Sequence, residues 1–509
     1  MMCNVPLFRF TQCCLFVRSS YLANTHLMKS NLLCFLCCLI CSAPQAQTTL
    51  QWSDSRLVDS TMSPITSPRV TLLSNGTPLV TWGVSSDNGS TSAQIWCSRF
   101  EQGAFSSPIG VVQTPDEPAL FGFGGYDVAV SDNQVFVVFE QLQKGIFLAR
   151  SDDGGLTFGL PTSIQGPISG GYTTLSSIVV DGTGNPVVSY IQYKNGKTTY
   201  EVRRSSNGGV NFGASVTGNA PAPGGEVCEC CTSDLIASGD SVWLLFRNNN
   251  QNRRDIWVSR SIDLAASFET ATDVDATDWQ LSFCPIAGPR MARSGDSLIT
   301  VWVSGAGGTG RVYLSTIHSG TMQAGLQLGF PTPSAPLTVQ SQADVAAVLD
   351  TVGIVFVEKS REIVFHFSTN GAAGLTDEST RFAVQDHILH LPSLAFGSGG
   401  FHLVYVDATA GQVLYKQGVL AGSSPVNEAI EALDIAIFPN PGIAGFFLVK
   451  SAAYELQEVS MFNSFGEKIL TQKASGFEIK VPTANFPEGV YFLKIKTFQG
   501  EVSRAIVVW

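Results

Sequence analysis

The sequence predicts an all-β protein, and three observations carry the prediction. Glycine (49) and phenylalanine (32) are abundant in the 509 residues while charged residues make up only 14%, a composition of strands and turns that excludes a disordered chain. Short alternating apolar runs are broken by Asn-Gly, Gly-Asp and Gly-Asn pairs, the turn chemistry of hairpins. One strand–turn–strand shape then occurs seven times, at 68–82, 126–139, 176–190, 233–246, 289–302, 343–356 and 392–405.

The chain opens on a leader. Residues 28–47, MKSNLLCFLCCLICSAPQAQ, carry a lysine, an apolar run from Leu32 to Cys41 and then small and polar residues. That is a secretory signal, too short to span a bilayer. Residues 1–47 are therefore expected to be the signal region, with translation starting at Met28 as an alternative and cleavage near Ala46. The mature protein then has no transmembrane span and keeps five cysteines: Cys97, Cys228, Cys230, Cys231 and Cys284. A net charge of -11 without a Lys/Arg cluster excludes nucleic acid as a partner.

Residues 48–420 hold the repeats. Aligning them puts Arg69, Asp127, Ser177, Asp234, Arg290, Asp344 and Ser393 in one column, at intervals of 49 to 58 residues. Each unit continues into a third strand, such as GIFLARS (145–151) or DIWVSRS (255–261), and then a fourth. Four short antiparallel strands repeated radially make a β-propeller, of seven blades by the repeat count or six with irregular ends. The last unit lacks a fourth strand. Residues 51–60 are expected to supply it, closing the ring and removing a sheet edge.

The turn SDDGGLTF (151–158) has weaker copies at 205–212 and 261–268. With Ser151, Asp153, Gly155 and Phe158 it resembles the Asp-box of sialidase-type (BNR-repeat) propellers. The resemblance implies a structural role, in which serine and aspartate bond the turn backbone, glycine allows positive φ and the aromatic plugs the blade. After a linker at 421–433, the runs IAIFPNPG (435–442), EVSMFNSFGEKIL (458–470), FPEGVYFLKIKT (486–497) and SRAIVVW (503–509) follow in order. Residues 434–509 resemble the C-terminal sorting domain of the type IX secretion system. That resemblance implies a small Ig-like β-sandwich, the secretion machinery as partner, and a place outside or on the outer-membrane surface of a Bacteroidetes-type bacterium.

In a propeller the innermost strands line the central channel. The aligned column is thus expected at one channel mouth, where Asp127, Asp234 and Asp344 either bind a polar ligand or hydrogen-bond adjacent blades. The sialidase resemblance implies an exo-α-sialidase-type glycoside hydrolase. There, an arginine triad (Arg69 in SPRV, Arg290 in GPRM, and Arg247) would hold a sugar carboxylate. Tyr126 and Glu140 would form the nucleophile pair, and Asp87 the acid/base. Pro68 before Arg69, and Val70-Thr71 after it, depart from that family's aromatic-Arg-Ile-Pro motif.

Cys228 precedes Asp234 by six residues and Cys284 precedes Arg290 by six, which sets two loops side by side in consecutive blades. Two readings stand. One is a disulfide from Cys284 to Cys228 or Cys230, with a vicinal Cys230–Cys231 bond beside it as a rarer form. The other is a thiolate site for copper(I) or zinc; no other cofactor is expected. Cys97, in a strand, reads as a buried thiol. Three functions follow: a sialidase-like exo-glycosidase, a non-catalytic surface propeller binding glycans or proteins, and a cysteine-centred metal-binding protein.

Overall fold

The computed structural model describes residues 50–420 and 435–508, apart from 62, 86–92, 113–117, 123, 330–337, 376–378, 398–399, 439–444, 452–454, 464–467, 475, 484–485, 488 and 498–499. The expected leader and the expected linker lie outside the described residues. Within them the chain is strand and turn, with one short 3-10 turn at Ala372–Gly374.

Seven antiparallel meanders occupy residues 50–420 among the described residues. The first strands of these sheets are Ile65–Leu72, Tyr126–Ser131, Gly171–Val180, Asp234–Ser238, Arg290–Ser294, Gln340–Val348 and Leu389–Gly397. Each packs against the first strand of the next sheet, and the seventh packs against the first, so the sheets form a closed cycle. Closure uses the predicted segment. Leu50–Trp52 and Arg56–Ser60 both pair antiparallel with Gln412–Leu420, in register Leu50↔Leu420 and Arg56↔Tyr415. Trp52 packs edge-on against Phe365 and Phe382 of the sixth sheet, with ring centroids 5.0 and 5.1 Å away.

The second strands explain why the repeats read as continuous apolar runs. In Gln134–Gln141, Val135, Val137 and Phe139 point to a core shared with Leu79 and Cys97 of the first sheet. Phe136 and Val138 point the other way, to Val188 and Tyr190 of the third. Alternation persists, but both faces are buried, so both sets of positions are apolar.

The first strands carry a repeated irregularity. Their register shifts between Thr66 and Arg69, Thr174 and Ser177, Ser341 and Asp344, and His390 and Ser393. Ser67, Leu175, Gln342 and Leu391, each two residues before its column member, have φ of 43, 49, 53 and 51°. Gly125 stands in the same place before Asp127 with φ 112°. Such bulges bend a strand and re-aim the side chains that follow.

The turn at 151–158 is held by its own side chains. Ser151 Oγ donates to Asp153 Oδ1 at 2.7 Å and accepts the Gly155 N–H at 2.8 Å. Asp153 Oδ1 also accepts the N–H groups of Leu156 and Thr157, each at 2.9 Å. Desolvation would raise the Asp153 carboxyl, yet these bonds and the Thr157 hydroxyl hold it at about 2. A Cβ on Gly155 (φ 87°) would come within 2.7 Å of Leu79 Cδ1, and Phe158 is buried in the same core. Ser261 and Asp263 repeat the arrangement at 261–267.

Residues 435–508 form a three-stranded sheet (Ile435–Phe438, Phe446–Ser451, Glu478–Pro482) and a four-stranded one (Leu456–Phe462, Lys468–Lys473, Gly489–Thr497, Gly500–Val508). Phe447, Val449 and Val481 of the first share a core with Val459, Met461, Leu493 and Ile495 of the second, the two-layer packing of a β-sandwich. Among the described residues no helix is long and apolar enough to cross a membrane.

Candidate functional site

The aligned column lies on the first strands, which pack against one another around the ring, and four of its members bond the backbone of the next sheet. Asp127 Oδ2 accepts the Ile178 N–H at 3.2 Å, Asp234 Oδ2 the Met291 N–H at 2.7 Å, and Asp344 Oδ2 the Leu394 N–H at 2.9 Å. Ser393 Oγ accepts the Val70 N–H at 3.5 Å. In each case the acceptor reaches the residue just past the column member of the following sheet, a latch from blade to blade. Ser177 Oγ instead meets Ser233 Oγ at 2.8 Å and Ser189 Oγ at 2.7 Å.

Arg69 and Arg290 sit against two of these carboxylates: Arg69 Nε is 3.6 Å from Asp127 Oδ1, and Arg290 Nη1 is 3.8 Å from Asp234 Oδ1. Burial pushes all three carboxyls up. Asp234 is raised further by the charges of Asp127 and Asp344, while Arg69 pulls Asp127 and Asp344 down.

Arg247 belongs elsewhere. It is fully buried, and its Nη1 donates to the Arg254 carbonyl at 2.7 Å while Nη2 donates to the Val303 carbonyl at 2.7 Å and to the Ala287 carbonyl at 3.2 Å. Its guanidinium stands 5.3 Å over the Trp279 ring. Of the three arginines of the expected triad, two thus face aspartates and the third serves backbone carbonyls.

Tyr126 and Glu140 do not meet either. The buried Tyr126 hydroxyl donates to the Ser67 carbonyl at 2.6 Å, toward the first sheet, and burial pushes its phenol up. Glu140 Oε2 accepts from Thr174 Oγ1 at 2.5 Å, toward the third sheet. Burial raises the Glu140 carboxyl to about 7, against the bonds from Thr174 and the Leu175 N–H. Asp87 lies outside the described residues.

An aromatic pair that the sequence did not single out stands exposed on the third sheet. Tyr172 and Tyr193 lie directly opposite one another in the third sheet, stacked with centroids 5.3 Å apart and 22° between planes. They are 51% and 36% exposed, more than nearly all other described aromatics of the ring. Burial, then the charges of Tyr193, Glu229 and Glu140, raise the Tyr172 hydroxyl. Glu229 is itself paired to Arg254 Nη1 at 2.9 Å. The signal for this pair is register, Tyr172 at the start of one strand and Tyr193 near the end of the next, and register is not local information.

The four loop cysteines converge. Cys230 and Cys284 are joined as a disulfide with Cα atoms 6.2 Å apart, one of the two pairings anticipated for Cys284. Cys228 and Cys231 are buried thiols with sulfurs 3.2 Å apart, and Cys228 Sγ lies 3.7 Å from Cys284 Sγ. Cys97 is a buried thiol far along the chain, pushed by burial up to about 12.

No curated protein matches the sequence. Among solved structures, polysaccharide lyase Uly1 is 11% identical, with 74% of this chain and 95% of that chain covered and a TM-score of 0.45. A protein of unknown function from Dyadobacter fermentans is 10% identical (73% and 99% covered, TM-score 0.42). The leech intramolecular trans-sialidase is 12% identical (73% and 71% covered, TM-score 0.41). Residues 436–509 match the family model of the secretion system C-terminal sorting domain. The two-layer β unit that ends the chain is therefore a member of that sorting-domain family, and the protein that carries it is one addressed for export.

Proposed function

We propose that the mature chain is a surface or secreted propeller that binds neutral glycans and does not hydrolyse sialosides. The observation that carries this reading is the exposed Tyr172–Tyr193 stack. An exposed aromatic face packs against the C–H face of a sugar ring. The net charge of -11 also disfavours an acidic sugar. The groups that sialoside hydrolysis would need have other occupations: Arg247 holds three carbonyls, and Tyr126 and Glu140 face different sheets.

Two assays on residues 48–509 test the reading. Glycan-array binding is expected to identify neutral ligands and to drop at least ~10-fold in Tyr172→Ala, as loss of ~1.4 kcal/mol of stacking requires. A fluorogenic sialoside is expected to release no sialic acid. Release that disappears in Arg69→Ala would overturn the proposal and make the chain a sialidase.

A further inference from the structure

The cysteine cluster does more than close a loop. Cys228, Cys230 and Cys231 enter from the loop before the fourth sheet and Cys284 from the loop before the fifth. Their four sulfurs all lie within 4.8 Å of one another. Bonds of about 2.3 Å from a tetrahedral ion to four thiolates set the sulfurs about 3.8 Å apart, and the Cys228–Cys231 and Cys228–Cys284 separations of 3.2 and 3.7 Å are close to that spacing. No histidine or carboxylate joins the group among the described residues, so the donor set is entirely soft.

The surroundings suit thiolates. Arg254 Nη1 donates to Cys228 Sγ at 3.0 Å. Glu229 holds Arg254 from the outer side at 2.9 Å. The loop is fixed before any ion arrives: Cys228 N–H donates to the Arg247 carbonyl at 2.9 Å, Val227 N–H donates to the Thr198 carbonyl at 3.1 Å, and the Tyr200 hydroxyl donates to the Cys231 carbonyl. A ligand shell supported in this way loses little freedom on binding.

We propose that Cys228, Cys230, Cys231 and Cys284, all reduced, hold one thiophilic ion, zinc(II) or copper(I), which clasps the loops of the fourth and fifth sheets. Entry into that form needs the Cys230–Cys284 bridge opened. A dithiol supplies two electrons and two protons and leaves as its disulfide; a phosphine supplies two electrons, and water supplies the two protons and the oxygen with which it leaves as the oxide. The ion then displaces the thiol protons.

The test uses the mature chain, residues 48–509, purified with a phosphine reductant, incubated with zinc(II) or with copper(I) in separate samples, and desalted. Native mass spectrometry and elemental analysis are expected to find one ion per chain. Retention is expected to fall at least ~10-fold in Cys228→Ser and Cys284→Ser and to be unchanged in Cys97→Ser. The arm whose ion survives dialysis identifies the metal. Folded wild-type protein, by circular dichroism, with less than about a tenth of an ion in both arms overturns the proposal, whatever the variants do. Equal retention in a folded Cys228→Ser protein overturns it as well.

Discussion

Glu140 is a carboxyl group with one hydroxyl and one backbone N–H for support and almost no water, and that environment sets a pH dependence. Burial raises it from 4.5 to about 7. The folded state therefore holds its proton where the unfolded state has lost it, and stability falls with pH through that interval. The contribution is fully present below about 4.5 and is lost as pH rises through about 7, with a span of about 3 kcal/mol. Glu140→Gln keeps an acceptor for Thr174 and cannot ionise. Urea midpoints at pH 5 and pH 8 should differ in the parent and draw together in the variant; an unchanged difference would refute the assignment. Residue-level chemistry of this kind was only partly legible in the sequence. Glu140 could be picked out as a polar residue ending an apolar strand, but its neighbour Thr174 lies one sheet away. Arg247, in LLFRNNN, looks like a strand end reaching toward solvent. Its burial depends on carbonyls from residues 254, 287 and 303, and no local pattern announces that convergence.

Whole elements were more legible, because hairpin turns and alternation are local. The missing fourth strand of the last repeat was enough to assign residues 51–60 to closure, and Leu50–Trp52 and Arg56–Ser60 do pair with Gln412–Leu420. The bulges were not legible. A glycine such as Gly125 gives a hint, but Ser67, Leu175, Gln342 and Leu391 take positive φ at a cost of ~1–2 kcal/mol each, held by their neighbours rather than by their own preference. Ser67 shows the return, since its carbonyl accepts the Tyr126 hydroxyl across the sheet boundary. Closure itself makes a prediction. A chain beginning at residue 61 exposes the edge of Gln412–Leu420 and uncovers Phe365 and Phe382, which Trp52 now contacts. Exposed edges recruit other strands, so the truncated protein should elute as oligomers in size-exclusion chromatography. A milder Trp52→Ala change should stay monomeric and lose about 3–5 kcal/mol of stability. A monomeric truncation with the parent's stability would show that the outer strand is dispensable.

At the scale of the molecule, two hydrophobic systems coexist in one chain. The cores of residues 50–420 are drawn from neighbouring sheets around the ring, whereas the core around Val459, Met461 and Leu493 is drawn only from residues 435–508. A unit with its own core and its own paired sheets should fold and melt by itself. The ring, in turn, is latched by Asp127, Asp234, Asp344 and Ser393 to the backbone of following sheets, with closure by its own first strands. None of these interactions draws on residues 436–509. Removing the sorting domain should therefore leave the unfolding transition of the ring within about 2 °C of its value in the mature chain. In the native host the same deletion should abolish delivery to the surface and medium, because the address lies in the removed segment. Fractionation with a ring-specific antibody reads the second effect and calorimetry the first. The two readouts separate the causes of a missing surface protein: lost delivery with an intact transition is a sorting defect, whereas a transition lowered by ten degrees or so would mean that the ring depends on its C-terminal neighbour and that the two are one folding unit.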